Sequence, residues 1–553
     1  MGQARSLLFL IVLQIGAFAA FAQAQKPPVI LISIDTLRAD HLSAYGYRAV
    51  KTPNIDAFAN GGTLYANADA QVPLTLPSHY SLFTSTYPFQ NGIQENAQRI
   101  APGGTTLAQV LNRQGYKTAA FIGSVFLEKE MGLDQGFDFY DSPFHYAAMS
   151  PLSGSVFFGG VTSGPNVGKD RRDAPLITRA AVQWLRANAN QPAFAFLHFY
   201  DLHKPYKLAS YDAELVYVDQ VLGNFRQELI ASGIWEKAIV ILVSDHGESL
   251  GEHGEDSHGY FIYEATMHVP LLIHWPQSQQ PARVETPVGL VDVAPTLLDY
   301  LNIPIPASFA GKSFLKTTFR NVYGESFHAH DSFGWAPLRS LRQGNWKYID
   351  APRPELYNLA SDPGEKVNAI AGNRKLAADL AAHLRQLLAA NKPSAMAIKP
   401  QQNQALLNSL GYLSPSPGGR KTTVSQADPK DRLPEFQMYE DAILAQARGR
   451  LDTAISTLRK LLDRDPGNTL ARRDLGACLI EKKNYAGALE HLTLVDRVAT
   501  DDYATQYLLG IAYKNLDQDD KALQYFNVAC HLAPEAGQCR KQIEDLRSKK
   551  SRR

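Results

Sequence analysis

Near-continuous hydrophobic runs recur through the first part of the chain, with amphipathic stretches between them. Runs of this length are typical of strands that are buried on both faces of a parallel sheet. The intervening stretches 105–115 and 173–190 have helical spacing. The pattern predicts an α/β domain with a mostly parallel sheet and helices on both of its faces. The four clearest runs are PPVILISID (27–35), KTAAFIGS (117–124), AFAFLHFYD (193–201) and AIVILVSDHG (238–247).

The C-terminal part of the chain has a different pattern, an internal repeat of helical segments. Ala454, Ala488 and Ala522 recur at the spacing of a tetratricopeptide helix pair. The segment LLGIAYKNLDQDDKALQYFNVACHLAP (508–534) resembles the tetratricopeptide consensus closely. Its small residues let paired helices approach, and its final proline ends the second helix. We predict an all-α solenoid of three repeats and a closing helix over residues 435–549.

The stretch between these two patterns, residues 414–434, is rich in Pro, Gly and polar residues. Such a composition is typical of a linker, which leaves residues 27–413 as one large domain. Repeat helices pack on their neighbours, so we expect the array to fold as its own unit and to bind a protein partner in its groove. A chain that ends near residue 413 should then keep its rate on a small ester.

The overall charge gives no reason to expect a nucleic-acid partner. The chain has 55 Lys and Arg against 54 Asp and Glu, which leaves a net charge of +1. A large basic patch or an acidic surface is therefore not expected.

The first 24 residues are predicted to be a signal peptide. Arg5 supplies positive charge, residues 7–22 are mostly apolar, and Ala22-Gln23-Ala24 offers small residues for cleavage. The apolar run is short for a membrane span. We expect an exported protein, periplasmic or extracellular, without an integral membrane segment after cleavage.

Three cysteines lie near the C-terminus, at Cys478, Cys530 and Cys539. In an oxidising compartment Cys530 and Cys539 could pair. The alternative is that all three are small buried residues on helices, and the spacing does not decide between the two.

Three of the predicted strands end in residues that bind metals. Asp35 ends the first, Asp201 ends another and is soon followed by His203, and Asp245-His246 ends a third. Ligands of open α/β sheets lie outside the carboxyl ends of the strands. Because an unpaired buried carboxylate is costly, three at one edge favour a bound cation.

The segment VPLTLPSHYSLFTSTYP (72–88) predicts the start of a helix, with Thr75 near its first turn. Thr75 is either an ordinary N-cap or a nucleophile at the positive end of the helix. A metal ion on its oxygen would lower its pKa. We therefore predict Asp35, Thr75, Asp245 and His246 as metal ligands, with His79 orienting or deprotonating Thr75.

Further histidines follow the strand tips. His203 is a catalytic candidate, and His258 lies in a Gly-bracketed loop where it could bind ester oxygens or protonate the leaving group. His253, in the same loop, is a weaker candidate. Histidines within or beside strands (His198, His268 and His274) are predicted to be structural.

A series of motifs runs in order through residues 27–413. They are ILISIDTLRADHLSAYGY, TPNIDAFANGG, TLPSHYSLFTSTYP, YDLHKPY, SDHGESLGEHG, YEATMHVPLLIHWP, GNWKYID and ELYNLASDPGEKVN. Together and in this order they resemble the sulfatase family of the alkaline phosphatase superfamily. The resemblance implies an alkaline phosphatase-like α/β/α sandwich, a divalent metal ion (Ca, Mn, Mg or Zn) and a covalent ester intermediate on Thr75.

The chain also departs from the family pattern. Thr75 replaces the signature cysteine or serine that sulfatases convert to formylglycine, and His79 replaces the signature arginine. Thr36 stands for the second Asp of the opening pair, and residues 123–126 lack the usual lysine and histidine. His258 stands roughly where another anion-binding lysine would be. A threonine nucleophile is similar instead to the superfamily's phosphodiesterases and phospho-headgroup transferases.

Three functions are compatible with these residues. The first is a secreted, metal-dependent hydrolase of sulfate or phosphate esters with Thr75 as nucleophile. The second is a transferase that passes the same covalent intermediate to an acceptor, because the first half-reaction is shared. The third is a degenerate enzyme that acts as a tetratricopeptide binding protein, against which the intact Asp35, Asp245 and His246 argue.

Overall fold

The structure is a computed structural model of the chain. It describes residues 26–96, 98–144, 171–276, 281–315, 320–391, 427–532 and 537–551. The predicted signal peptide and residues 414–426 of the predicted linker lie outside the described residues.

The hydrophobic runs form a nine-stranded sheet, as the pattern predicted. All residues of β1, β5 and β6 are buried, which explains why these strands have no alternating polar positions. The nine strands are β1 (Val29–Ile34), β2 (Thr63–Asp69), β3 (Lys117–Phe121), β4 (Phe139–Asp141), β5 (Ala193–Phe199), β6 (Ile239–Val243), β7 (His268–His274), β8 (Ala282–Val284) and β9 (Val288–Gly289).

The sheet order brings the predicted strand tips together. The strands run β4-β3-β5-β1-β6-β7-β2-β8, with β9 beside β2. Strand β1 pairs in parallel with both β5 and β6, and β7 is antiparallel to both of its neighbours. The carboxyl ends of β5, β1 and β6 are therefore adjacent at one edge, where ligand sites of such sheets form.

Helices cover both faces of this sheet and bury two separate apolar cores. Thr106 caps the helix Leu107–Arg113 by accepting a hydrogen bond from the Gln109 N–H, which is the usual role of a threonine at an N-cap. The helices of this domain are α1 (Pro53–Asn60), α2 (Thr75–Thr84), α3 (Pro88–Asn91), α4 (Leu107–Arg113), α5 (Ala174–Ala187), α6 (Tyr211–Ala231), α7 (Glu264–Met267), α8 (Val293–Tyr300), α9 (His328–Phe333) and α10 (Arg374–Ala390).

A second, antiparallel sheet follows along the chain and packs against α10. A buried charge network joins it to the large sheet, in which Glu264 accepts hydrogen bonds from Lys347 at 2.8 Å and from Arg342 at 3.3 Å. Arg342 also reaches Asp69 of β2 at 2.8 Å. The four strands are β10 (Asn321–Ser326), β11 (Leu338–Gln343), β12 (Trp346–Asp350) and β13 (Glu355–Asn358).

We expect Glu264→Gln to lower the free energy of unfolding at pH 7 by about 3–5 kcal/mol, because it leaves buried cations short of a partner. Lys347 and Arg342 hold the pKa of Glu264 below its ordinary value of 4.5. The contribution of ionised Glu264 to the free energy of unfolding is therefore complete above pH 4.5 and is lost as the pH falls below 4.5. Urea unfolding at several pH values measures the difference in free energy of unfolding between the unaltered protein and Glu264→Gln, and this difference should become smaller in acid. Glu285→Gln, in an exposed pair with Arg283, should change stability little; equal effects of the two substitutions would contradict the prediction.

The C-terminal region is all α-helical, as the repeat predicted. Asn468, Asn484 and Asp502 cap successive helices by accepting hydrogen bonds from backbone N–H groups. A Cβ atom at Gly510 would lie 2.6 Å from the Phe526 ring, so this glycine allows its helix pair to pack closely. The helices are α11 (Leu433–Ala447), α12 (Leu451–Arg464), α13 (Thr469–Glu481), α14 (Tyr485–Asp496), α15 (Tyr503–Asn515), α16 (Asp519–Leu532) and α17 (Gly537–Ser551).

The structure contains the first of the two alternatives for the cysteines, a disulfide between Cys530 and Cys539. A disulfide joins Cys530 to Cys539 with their Cα atoms 5.6 Å apart, and it ties α17 to α16. Cys478 is a buried free thiol. Across the described residues, no helix combines the length and the apolar character that crossing a membrane requires.

The array does not pack only on itself, and its folding as a separate unit stays a prediction. Helix α11 shares one apolar cluster with residues 260–263 and with part of the second sheet. Residues 427–432, assigned from composition to the linker, include a short 3-10 helix (Pro429–Asp431). The carbonyl of Ala427 accepts a hydrogen bond from the Ala336 N–H at 3.0 Å, so this end of the predicted linker is paired with the large domain.

Candidate active site

The residues that end β1 and β6 meet in one fully buried cluster. Asp35, Asp245 and His246 all have 0% exposure. The Nε2 atom of His246 lies 3.5 Å from Asp245 Oδ2 and 4.0 Å from Asp35 Oδ1. One ligand atom from each of the three residues falls within 4.8 Å of the others. The parallel order of the strands brings these groups together, as argued from their positions in the sequence.

The polar atoms of this cluster are compatible with a bound cation. Asp35 Oδ1, Asp245 Oδ2 and His246 Nε2 are buried and have no hydrogen-bond partner. The other nitrogen of His246 lies 2.9 Å from the Gly247 carbonyl, which leaves Nε2 with its lone pair directed to the cluster. Burial without a cation raises the pKa of Asp35 to about 7. Unpaired buried acceptors are rare in folded proteins, and a divalent cation would satisfy all three.

Thr75 is the first residue of α2 and not its N-cap, which is Leu74. Its hydroxyl donates a hydrogen bond to Asp35 Oδ2 at 3.2 Å and is fully buried. The Asn96 side chain accepts a hydrogen bond from the Leu76 N–H at 2.9 Å, so a free main-chain group is satisfied without Thr75. The threonine hydroxyl is therefore directed to the acidic cluster.

His79 lies one helical turn after Thr75 and contacts its main chain. Its Nδ1 lies 2.7 Å from the Thr75 carbonyl and its Nε2 lies 2.9 Å from Ser33 Oγ. A carbonyl only accepts, so Nδ1 carries the proton in this arrangement. The ring nitrogens of His79 contact the Thr75 carbonyl and Ser33 Oγ, which fits an orienting role better than that of a base for the Thr75 hydroxyl.

His198, predicted to be structural, lies inside the same cluster. Its Nε2 is 3.4 Å from Asp35 Oδ2, and its ring centroid is 4.9 Å from that of His79. Sequence reasoning missed it because a histidine inside an apolar strand usually packs as a core residue. The available signal was its position three residues before Asp201, on the strand that is paired with β1.

His203 and His258 form the other side of the site, next to His246. The His258 ring lies 4.4 Å from the His246 ring and 4.9 Å from the His203 ring, measured between centroids. His258 Nδ1 is 3.2 Å from Glu248 Oε1. Burial lowers the pKa of His258 to about 3 and raises that of Glu248 to about 8. The two predicted histidines are thus both near the acidic cluster.

Asp201 and His253 lie elsewhere. The Asp201 carboxylate accepts hydrogen bonds from the Ala174 N–H, at 3.1 and 3.3 Å to its two oxygens. It therefore holds the start of α5, and Asp201 does not join the group of ligand atoms formed by Asp35, Asp245 and His246. His253 stacks on Tyr263, with ring centroids 3.6 Å apart, and its Nε2 lies 3.1 Å from the Gly364 carbonyl.

The loop that carries His258 is held by the first helix of the array. The Tyr260 ring stacks on Phe436 with centroids 4.2 Å apart, and its hydroxyl donates to the Pro429 carbonyl at 2.7 Å. The Gln437 side chain donates to the Gly254 carbonyl at 2.6 Å. The array therefore contacts the chain on both sides of His258.

Comparison with known families agrees with this architecture. The sulfatase family model matches residues 27–303, which is about half of the chain. The model for the C-terminal region of N-sulphoglucosamine sulphohydrolase matches residues 251–393. Tetratricopeptide repeat models match residues 445–504 and 504–536.

Curated relatives are sulfatases of low identity. Arylsulfatase K of Bos taurus is 25% identical over 473 residues, which cover 70% of this chain and 86% of that protein. An N-acetylgalactosamine-6-O-sulfatase of Bacteroides thetaiotaomicron is 24% identical over 467 residues, which cover 62% of this chain and 90% of that protein.

Solved structures show the same fold. The phosphonate monoester hydrolase of Agrobacterium radiobacter has a TM-score of 0.51 at 22% identity, with 66% of this chain and 96% of that chain covered. A protein solved with its substrate D-glucosamine-2-N,6-O-disulfate has a TM-score of 0.55 at 20% identity, with 67% and 99% covered. The predicted alkaline phosphatase-like sheet and the solenoid that follows it are confirmed. The chain is a hydrolase of the sulfatase family with tetratricopeptide repeats at its C-terminal end.

Proposed function

We propose that this protein is an exported, metal-dependent hydrolase of sulfate or phosphate esters, and that Thr75 is its covalent nucleophile. The observation that carries the proposal is the buried Thr75 hydroxyl, 3.2 Å from Asp35 Oδ2, beside three unpartnered ligand atoms of Asp35, Asp245 and His246. A nucleophile and a cation site in one pocket are the parts that ester cleavage at sulfur or phosphorus needs.

Asp35, Asp245 and His246 would hold the cation, together with the oxygen of Thr75. A divalent cation supplies Lewis acidity, which lowers the pKa of a nearby hydroxyl and stabilises negative charge on the ester oxygens. Asp35 accepts the Thr75 hydrogen bond, and it can take up that proton when the oxygen attacks. His79 holds the Thr75 carbonyl and so fixes the first turn of α2.

Thr75 Oγ would form a bond to the sulfur or phosphorus atom while the bond from that atom to the leaving alcohol oxygen breaks. The leaving oxygen needs a proton, which would come from water or from Glu248 through His258, whose Nδ1 lies 3.2 Å from Glu248 Oε1. Water would then attack the same sulfur or phosphorus atom and return the Thr75 hydroxyl. No formylglycine is required in this scheme, because no cysteine precedes Cys478.

The substrate class can be tested with the purified protein. A panel of aryl phosphate monoesters, phosphodiesters, phosphonate monoesters and sulfate esters would be assayed with each of Ca²⁺, Mn²⁺, Mg²⁺ and Zn²⁺. We expect turnover of at least one class that requires added cation. Absence of turnover on every ester under every condition, with correctly folded protein, would contradict the proposal.

The cation site gives a direct prediction for Asp245. We expect Asp245→Asn to lower the affinity for the divalent cation by at least about 100-fold, because it removes a charged ligand from a buried site. Metal analysis after loading and gel filtration measures this loss independently of activity.

Asp201→Asn is the matched control, since it makes the same chemical change just after β5, which lies on the other side of β1 from β6. Asp201 caps α5 and should leave the metal content unchanged. If Asp245→Asn and Asp201→Asn hold as much metal as the unaltered protein, the proposed cation site is wrong.

Export and partner binding are the remaining parts of the proposal. Export rests on the signal-like residues 1–24. A protein partner in the concave groove of the array rests on the three helix pairs and their repeat matches.

A further inference from the structure

We propose that His198 is an additional ligand of the cation and that this second imidazole makes the site selective for a transition metal over Ca²⁺ and Mg²⁺. The inference rests on the cation site of the proposed function and adds a residue that sequence reasoning placed in the core. It concerns which metal the site takes.

His198 makes no hydrogen bond to another described residue. Its side chain has 0% exposure, and its closest polar contact is the ion-pair distance of 3.4 Å from Nε2 to Asp35 Oδ2. Both ring nitrogens are buried without a hydrogen-bond partner among the described residues. Buried polar groups in native proteins are normally paired, and a cation beside Asp35 would satisfy this imidazole.

The geometry points His198 to the cation site. Its Nε2 lies 3.4 Å from Asp35 Oδ2, and His246 Nε2 lies 3.5 Å from Asp245 Oδ2. Neighbouring ligands of one ion with bonds near 2.1 Å lie roughly 3–3.6 Å apart. His198 groups with His79 and Asp245, whose ligand atoms fall within 4.8 Å of one another, and Asp245 belongs also to the group of Asp35, Asp245 and His246.

The register of the sheet explains how His198 reaches this place. His198 is paired with Ser33 across β5 and β1, two residues before Asp35 on β1. Parallel neighbours in register carry their side chains to the same face.

His79 groups with His198 and Asp245, but it is not a comparable ligand. Its Nδ1 donates to the Thr75 carbonyl and its Nε2 pairs with Ser33 Oγ. Both nitrogens are already used, whereas those of His198 are not. We therefore assign His198 to the cation held by Asp35, Asp245 and His246, and not to a second ion at His79.

The ligand set determines the metal. Ca²⁺ and Mg²⁺ take oxygen ligands, whereas imidazole suits zinc and other late first-row ions. Two imidazoles with two carboxylates form a mixed nitrogen and oxygen set of the kind that binds Zn²⁺ or Co²⁺.

The test uses the full chain, stripped of metal and reloaded with Zn²⁺, Co²⁺ or Ca²⁺ separately. Variants are His198→Ala, His198→Gln and, as control, His274→Ala. His274 is a buried histidine of the same sheet that stacks on Trp235, with centroids 4.6 Å apart, away from the cluster. Dissociation constants come from competition with a chromophoric chelator, stoichiometry comes from metal analysis, and coordination comes from the visible absorption of bound Co²⁺.

We expect His198→Ala to weaken Zn²⁺ binding by at least about 10-fold, to change Ca²⁺ binding less than about 3-fold, and to shift the Co²⁺ bands. His198→Gln keeps most of the side-chain volume and should show the same Co²⁺ change if the alanine variant does not fold. His274→Ala should behave like the unaltered protein.

Unchanged Zn²⁺ affinity and an unchanged Co²⁺ spectrum in both His198 variants would overturn this inference alone. Two ions in the unaltered protein and one in His198→Ala would also overturn it, because His198 would then bind a separate ion. Failure of the unaltered protein to bind any cation would instead overturn the proposed function, and this inference with it.

Discussion

Thr75→Ala is expected to lose turnover by at least about 10³-fold, because it removes the atom that forms the covalent intermediate. The side chain is buried, and its hydroxyl donates a hydrogen bond to Asp35. The methyl group of alanine fits the space without a large cavity. The protein should therefore keep its fold and its cation while it loses its reaction. Initial rates on the best ester of the panel measure the loss, and metal analysis checks the site.

Thr75→Ser is the matched variant, since it keeps the hydroxyl and removes only a methyl group. It should retain a rate within roughly 10- to 100-fold of the unaltered enzyme. A mass increase on Thr75 in enzyme quenched during turnover would identify the adduct directly. If Thr75→Ala turns over at the unaltered rate, the nucleophile lies elsewhere and the proposed chemistry is wrong.

The second large effect is expected at Phe436, in the first helix of the array. Phe436→Ala removes the ring that stacks on Tyr260, two residues after His258. We expect kcat on a small ester to fall by roughly 10- to 100-fold, since small displacements of a positioned group are costly to the reaction. KM for the small ester should change less, because Phe436 acts on the site through the ring of Tyr260 and the position of His258.

Phe526→Ala is the control, because it makes the same change in a buried position of the last helix pair. Both substitutions should destabilise the array, which thermal unfolding measures, but only Phe436→Ala should lower kcat. If both folded variants keep the full rate, the array is independent of the reaction. The truncation at 413 would then leave the rate intact, as the sequence suggested; the docked helix leads us to expect a loss instead.

Much of the site could be predicted from the sequence, because it depends on local periodicity. The apolar runs ending at Asp35 and Asp245 identify buried strands, and parallel strands bring their carboxyl ends to one edge. Thr75 could be placed near the start of a helix by the same local signals. These inferences need only the spacing of residues within one element and the direction of the strands.

The roles of Asp201 and His198 depended instead on contacts between distant segments. Asp201 ends a buried strand just as Asp35 does, yet its carboxylate meets the Ala174 N–H, 27 residues away. His198 has the spacing of a core residue, yet it lies beside Asp35. Spacing along one strand does not say which side chains arrive from neighbouring strands, so it could not distinguish a cap from a ligand.

The array shows the same division between local and long-range information. By itself the sequence determined the helix pairs, because each repeat contains its own apolar stripe and its own caps. It could not determine that α11 packs on the loop of His258, since Phe436 and Tyr260 are far apart in the chain and aromatic residues are common on helices. Only the tertiary structure decided this contact, because burial of both rings depends on how the two domains meet.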